Sequence, residues 1–239
     1  MIRVGFLAAS MACSLAPPAF TQDAIWQRCT TSGLEAEKHN DFPQAESCFQ
    51  AALHRAEKFN CDDKCRATSY DNVADIKYKS GHYADAEPFY KKSIANLEKC
   101  VTRDALTHVS QAEQLKLKRE LIDEMSEMAD CYRAETKYFE AEQIYKQALT
   151  VENGADLEAE VQKASIKSDL GDVLSLQGKY DEAEKLYKEA LPVFEKAHND
   201  RLSLDLLEDY DALLRMTKRT KEADAMEDRI KSIHVAPAK

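Results

Sequence analysis

Carboxylates are the most numerous groups in this chain that could do chemistry, with 43 Asp and Glu against 33 Lys and Arg and a formal charge of -10. Neighbours such as Asp62 and Asp63, or Glu35 and Glu37, have the spacing of an acid–base couple, but on a solvated helix such pairs are ordinary surface charge. Cysteine is the other reactive type. All seven fall by position 131, and six remain once Cys13 is set aside: Cys29, Cys48, Cys61, Cys65, Cys100 and Cys131. An even count in an oxidising compartment invites pairing. Cys61 and Cys65 with His54 offer three metal-ligand types, but a fourth would have to come from Asp62 or Asp63, so no metal site is expected. His39, His82 and His198 read as surface residues at turns or helix ends. The chain has no phosphate-cradling glycine loop, no His-Glu-x-x-His and no nucleophile elbow, and its six glycines leave little room for such loops. The expectation is a protein that is not an enzyme and that needs no cofactor.

Composition narrows the class further. Basic residues scattered among carboxylates, with a pI near 5.2, do not build a nucleic-acid surface. Six Gly and six Pro favour long helices with few tight turns. The N-terminus places Arg3 before an apolar run from Val4 to Ala12, followed by small residues and proline ahead of Asp23. This is the layout of a secretory signal over residues 1–22, with the mature start between Leu15 and Gln22. The run is too short to anchor in a bilayer, so no membrane span is expected in the mature chain. Export is therefore the expected localisation. A cytoplasmic chain with an intact N-terminus is one alternative. A lipoprotein modified on Cys13 is another, although Ser10 stands where such signals carry an aliphatic residue.

Self-comparison then organises the remainder. Four segments align without gaps, starting at Ser32, Val73, Met128 and Leu170. Their shared alanine falls at Ala45, Ala86, Ala141 and Ala183, and a degenerate fifth copy surrounds Ala223. Each copy reads as a helical hairpin. Its first helix carries a small residue (Gly33, Ala74, Ala129, Gly171) where a partner can approach closely. A turn follows, with Asn40, Gly81, Thr136 or Gly178 and then Phe42, Tyr83, Tyr138 or Tyr180. The second helix should bury Ala45/Phe49/Ala52, Ala86/Tyr90/Ser93, Ala141/Tyr145/Ala148 and Ala183/Tyr187/Ala190, each set on one helical face. Pro43 suits a first helical turn, and Pro192 predicts a kink or early stop. The step from the second to the third copy holds 13 extra residues, and no Gly or Pro lies between Pro88 and Gly154. A long first helix in copy three is expected, with Leu106, Val109, Leu117, Leu121, Met125, Met128 and Tyr132 on one stripe and Cys100 and Cys131 at opposite ends.

These residues resemble the tetratricopeptide repeat. The period near 42 exceeds the usual spacing of about 34. Asn72-Val73-Ala74, Ala86-Glu87-Pro88-Phe89-Tyr90 and the run from Gln177 to Glu184 look like the longer, kinesin light chain type. The resemblance covers Ile25 to Ile233 within a repeat domain at 23–233, leaving 234–239 as an expected disordered tail. It implies an all-α, right-handed superhelical solenoid of antiparallel hairpins that holds a protein or peptide in its concave groove. Thr220 and Glu227 depart from the aromatic positions of the pattern and suit a solvated capping repeat. The usual tryptophan is missing, with Trp26 lying slightly before its slot. On this arrangement Cys29 and Cys48 fall on facing helices, while Cys61 and Cys65 flank the turn into copy two. Either pair is a conceivable disulfide, with free thiols as the alternative. The groove positions would be Asp71, Asp75, Tyr78, Asp123, Ser126, Asp130, Arg133, Ser168, Asp172, Ser175 and Glu208. Acids dominate them, so the resemblance points to a basic or neutral partner segment and away from clamping a C-terminal carboxylate. Alternatively, these acids serve solubility alone.

Overall fold

The computed structural model describes residues 19–58, 61–105 and 110–235. Within them lie ten helices and no strand: α1 (Ala19–Lys38), α2 (Phe42–Lys58), α3 (Asp63–Lys79), α4 (Tyr83–Ala105), α5 (Gln111–Ala134), α6 (Tyr138–Ala148), α7 (Leu157–Leu176), α8 (Tyr180–Lys196), α9 (Asp200–Met216) and α10 (Thr220–Val235). Each helix packs on the next. The first helices of successive hairpins also touch, α5 on α7 and α7 on α9, so the pairs stack into an all-α solenoid. None of the described helices is long and apolar enough to cross a membrane. Residues 1–18, most of the expected signal, and 236–239 of the expected tail lie outside the described residues; positions 19–22 open α1 and 234–235 close α10.

The turns inside the five hairpins share one backbone device, which His198 repeats between α8 and α9. Asn40, Gly81, Thr136, Gly178 and Lys218 all adopt a left-handed conformation, with φ of 57°, 78°, 61°, 78° and 62°. The next residue donates its N–H to a carbonyl five positions back, as from Asp41 to Ala36, His82 to Lys77, Lys179 to Leu174 and Arg219 to Leu214, over 2.8 to 2.9 Å. This closes the last carbonyls of the first helix in a Schellman cap and reverses the chain. Glycine meets the requirement at no steric cost at Gly81 and Gly178, whereas Thr136 and Lys218 carry the side-chain penalty.

The expected faces are buried. Ala45, Ala86, Ala141, Ala183 and Ala223 are wholly inaccessible, as are Tyr90 and Tyr145, and Phe49 and Tyr187 are 1% exposed. The small residues of the first helices make room for these rings. A Cβ placed on Gly171 would lie 2.5 Å from Cε1 of Tyr187, and one on Gly33 would run into the Phe49 ring. Ala74 and Ala129 hold the same slot, completely buried. The glutamate after each repeat alanine ties one hairpin to the next. Glu87 meets Lys137 at 3.4 Å, Glu142 meets Lys179 at 2.7 Å and Glu184 meets Arg219 at 2.5 Å, while Glu46 takes Lys77 of α3 at 2.8 Å. Trp26 Nε1 donates to Ser69 Oγ at 2.8 Å and fastens α1 to α3.

Three sequence expectations need correction. The insertion does not make one long helix. It lengthens α4 to 23 residues and α5 to 24, and α5 starts afresh from its own N-cap, Ser110. Ser110 accepts from Glu113 N–H and Glu113 reaches back to the Ser110 N–H, a capping box that starts a new helix. Leu106 and Val109 lie outside the described residues, whereas Leu117, Leu121, Met125, Met128 and Tyr132 are buried on α5. Cys100 and Cys131 accordingly sit on different helices, both buried. Finally, α8 runs through Pro192 to Lys196. Pro192 is exposed, so water can satisfy the Lys188 carbonyl that lacks its donor, while buried Ala190, Leu191 and Phe194 hold the helix on its neighbours.

Candidate binding groove

The inner ends of α3, α5, α7 and α9 bring most of the expected groove residues into two acidic groups. Asp75, Asp130 and Asp172 occupy the same slot in successive copies, because the hairpins repeat in register. In two of them the buried tyrosine of the second helix reaches through to the aspartate. Tyr145 donates its hydroxyl to Asp130 Oδ1 at 2.8 Å, and Tyr187 to Asp172 Oδ1 at 2.7 Å. Asp75 instead binds Lys79 at 2.5 Å, and the same ammonium bridges to Glu37 of α1 at 2.5 Å.

The downstream group joins α5, α7 and α9. Arg133 binds Asp130 at 2.8 Å and reaches Asp172 at 3.9 Å. Asp169, one turn before Asp172, enters the same field. Loss of water on burial and repulsion from Asp130 and Asp172 push its carboxyl up to about 8, against the pull of Arg133. Burial, then the charge of Asp209, lifts Asp172 to about 7. Asp209 is raised too, chiefly by desolvation. Burial opposes the charge on Arg133, yet the surrounding carboxylates outweigh it and hold the guanidinium firmly protonated. Several acids thus converge on one arginine.

The upstream group joins α1, α3 and α5. Glu124 is 7% exposed; its Oε1 accepts from Ser93 Oγ at 2.7 Å. Burial and the facing Asp71 push it up to about 10, and burial lifts Asp71 to about 6. Asp123 and Glu127 open onto the groove, but its walls displace enough of their water to raise both, Glu127 to about 8 with help from Asp71 and Asp75. Asp123 accepts from Gln162 Nε2 at 2.6 Å; Gln162 in turn accepts from Asn153 and donates to the Arg119 carbonyl. Arg119 binds Asp156 at 2.6 Å and also Glu158, so the chain between α6 and α7 is pinned against α5.

The other expected groove residues are less engaged. Tyr78 is half-buried, edge-on to Tyr83 at 5.2 Å between ring centres, and feels Asp130 and Arg133. Ser126 turns its hydroxyl back to the Ile122 carbonyl at 3.0 Å. Ser168 and Ser175 are half-buried, Ser175 giving its carbonyl to the turn at Gly178, and Glu208 is exposed. Sequence reasoning missed Glu37, Lys79, Glu124, Glu127, Asp169 and Asp209. Lys79 and Glu127 lie four residues beyond Asp75 and Asp123, and Asp169 three before Asp172, so helical spacing from the named positions would have found them.

Cys61 and Cys65 are disulfide-bonded, with Cα atoms 5.8 Å apart, and Asp62 between them caps α3 by accepting from the Cys65 N–H at 2.8 Å. Cys29 and Cys48 are unbridged, the free-thiol alternative for that pair, and Cys48 Sγ accepts from Gln44 at 3.4 Å. Among the described residues no group of three or more His, Cys, Asp or Glu is arranged to hold a metal ion.

A stack of capped hairpins with buried alanine–tyrosine faces defines a helical repeat protein. The tetratricopeptide repeat model matches residues 37–99, 122–196 and 162–230, well over half of the chain, and the protein belongs to that family. A comparison with curated protein sequences found no match. Among solved structures, the chain is similar to BtubC (BKLC) from P. vanneervenii, at 19% identity and a TM-score of 0.71 over 92% of this chain and 85% of that one. It is also similar to nearly identical TPR-like repeats of kinesin light chain type from Podosopora anserina, at 13% identity and a TM-score of 0.67 over 87% and 93%. YrrB, described as a TPR protein with an unusual peptide-binding site, matches at 16% identity and a TM-score of 0.52 over 90% and 92%. At these identities the likeness shows a shared fold.

Proposed function

We propose that this protein is an exported interaction scaffold whose concave groove holds an extended basic or neutral segment of a partner protein. The observation that carries the reading is the excess of desolvated carboxylates along α3, α5, α7 and α9 over the cations beside them, Lys64, Lys79 and Arg133. Repulsion between them is relieved when a positively charged segment lies in the groove, and the same field repels an acidic one. The peptide-binding description of YrrB supports a segment as the occupant. Export is supported by the layout from Arg3 to Asp23 and by the Cys61–Cys65 disulfide, a bond that persists in oxidising compartments. The family is built around binding surfaces, which supports a scaffold over a catalyst.

The test is fluorescence anisotropy with three labelled twelve-residue peptides of Gly and Ser carrying four Lys, no charge, or four Glu. The Lys peptide should bind, more tightly at low salt, and the Glu peptide should not. Asp75→Lys with Asp209→Lys should weaken binding at least tenfold. Unchanged binding in that variant refutes the groove as the site. Mass measurement of the mature N-terminus tests export: a start between Leu15 and Gln22 supports it, an intact Met1 refutes it, and a lipid on Cys13 indicates envelope attachment.

A further inference from the structure

Between α3 and α5 the groove floor opens into a recess of about 200 Å³, lined by Asp71, Glu120, Asp123, Glu124 and Glu127 and by one cation, Lys64. Glu124 is the unusual member. Its side chain is more than nine-tenths buried, Ser93 satisfies Oε1, and Oε2 is shut off from water with no N–H or hydroxyl donor against it. Asp71 lines the same recess, and its charge makes the buried Glu124 carboxyl harder to ionise. A buried carboxyl oxygen with no cation or donor against it and a second carboxyl beside it keeps its proton, so Glu124 holds a proton where a cation would otherwise be needed. Every neighbouring element adds to that requirement: Glu37 from α1, Asp75 from α3, Glu120, Asp123 and Glu127 from α5, and Glu158 from α7, with Ser93 from α4 and Gln162 from α7 as neutral partners. The opposing cations are already paired: Lys79 is shared by Asp75 and Glu37, and Lys64, in the recess lining, lies 3.4 Å from Glu120.

We propose that this recess receives one lysine or arginine side chain of the groove's occupant, and that the incoming cation displaces the proton held on Glu124. The exchange balances charge: one positive side chain enters, one proton leaves to solvent, and the carboxylates then face an ammonium or guanidinium. Binding is therefore linked to pH and tightens as pH rises, by up to about tenfold per pH unit for each proton released. This rests on the groove reading above, and the experiment separates the two.

The full chain is titrated calorimetrically with deca-lysine at pH 7 in two buffers of different ionisation enthalpy, which gives the protons released per peptide, and the affinity is followed from pH 6 to 8. Glu124→Gln keeps the side chain's size and its contact with Ser93 but cannot take part in the exchange. It should release about one proton fewer than the wild type, with a flatter affinity–pH slope. Asp71→Asn removes the charge that helps to hold that proton and should also lower the proton release, so a folding defect in either variant leaves the other to decide. Equal proton release and equal slope in wild type and variants overturn the proposal even if deca-lysine binds in the groove. Deca-lysine binding that is indifferent to Asp75→Lys with Asp209→Lys, or no binding at all, overturns both readings.

Discussion

Replacing Asp169 by asparagine should stabilise this protein at alkaline pH and do little at acid pH. Asp169 stands among Asp130, Asp172 and Asp209 with only Arg133 to offset them, and its carboxyl is pushed from the ordinary 3.8 to about 8. The folded state thus prefers the protonated acid. Its stabilising contribution is complete below about pH 4 and is lost as pH rises through the folded value. At about 1.4 kcal/mol per pH unit, the full penalty at pH 8 is about 6 kcal/mol. Asp169 keeps part of its surface in water, and an effective dielectric nearer 20 than 4 reduces this to about 2 kcal/mol. Asparagine mimics the neutral acid and removes the penalty. With about 2 to 4 °C per kcal/mol for a domain of this size, Tm should rise by about 4 to 8 °C at pH 8 and by less than about 2 °C at pH 4. Scanning calorimetry at the two pH values reads the difference directly. An equal shift at both, or a lower Tm for the variant at pH 8, would refute the electrostatic account of this cluster.

Three further outcomes follow from the repeat geometry. Gly171→Ala drives a methyl to within 2.5 Å of the Tyr187 ring, which its hydroxyl bond to Asp172 keeps in place, and should cost about 1 to 3 kcal/mol in urea unfolding. Lys218→Gly relieves a left-handed side-chain residue at φ 62° and should gain about 1 kcal/mol by the same measurement; a loss would contradict the steric argument. Glu184→Gln weakens the tie to Arg219 and the bond from Tyr210, so hydrogen exchange should speed up along α10, most visibly at Ala223, while α5 and α6 stay protected.

The hairpins were legible because the same physics is written several times. Ala86, Ala141 and Ala183 each precede an aromatic by four residues, and Asn40, Gly81, Thr136 and Gly178 each mark the left-handed turn. Repetition separates a structural requirement from coincidence. The fresh helix start at Ser110 escaped because it occurs once and is marked by no Gly or Pro, although the Ser110–Glu113 capping box was present to be read. Pro192 misled because its cost depends on whether the freed carbonyl meets water, which depends on the face it occupies. In the groove, Asp71, Asp75, Asp123, Asp130, Arg133 and Asp172 could be named from slot alone. Glu124 could not, because its role depends on burial behind Ser93 and on facing Asp71, a residue 53 positions earlier. Asp130 and Asp172 also turned out to brace Tyr145 and Tyr187, so charge reversal there would disturb packing as well as binding. Asp75 and Asp209 are the cleaner probes.

The most direct test of the groove as a receptor for a positive segment is an amide chemical-shift titration of the isotopically labelled protein with deca-lysine. The account predicts that shifts concentrate around Asp75, Glu127, Asp169 and Asp209 on α3, α5, α7 and α9, and that they fade with added salt. Shifts gathered instead on α4, α6 and α8, or spread evenly over the surface, would contradict it.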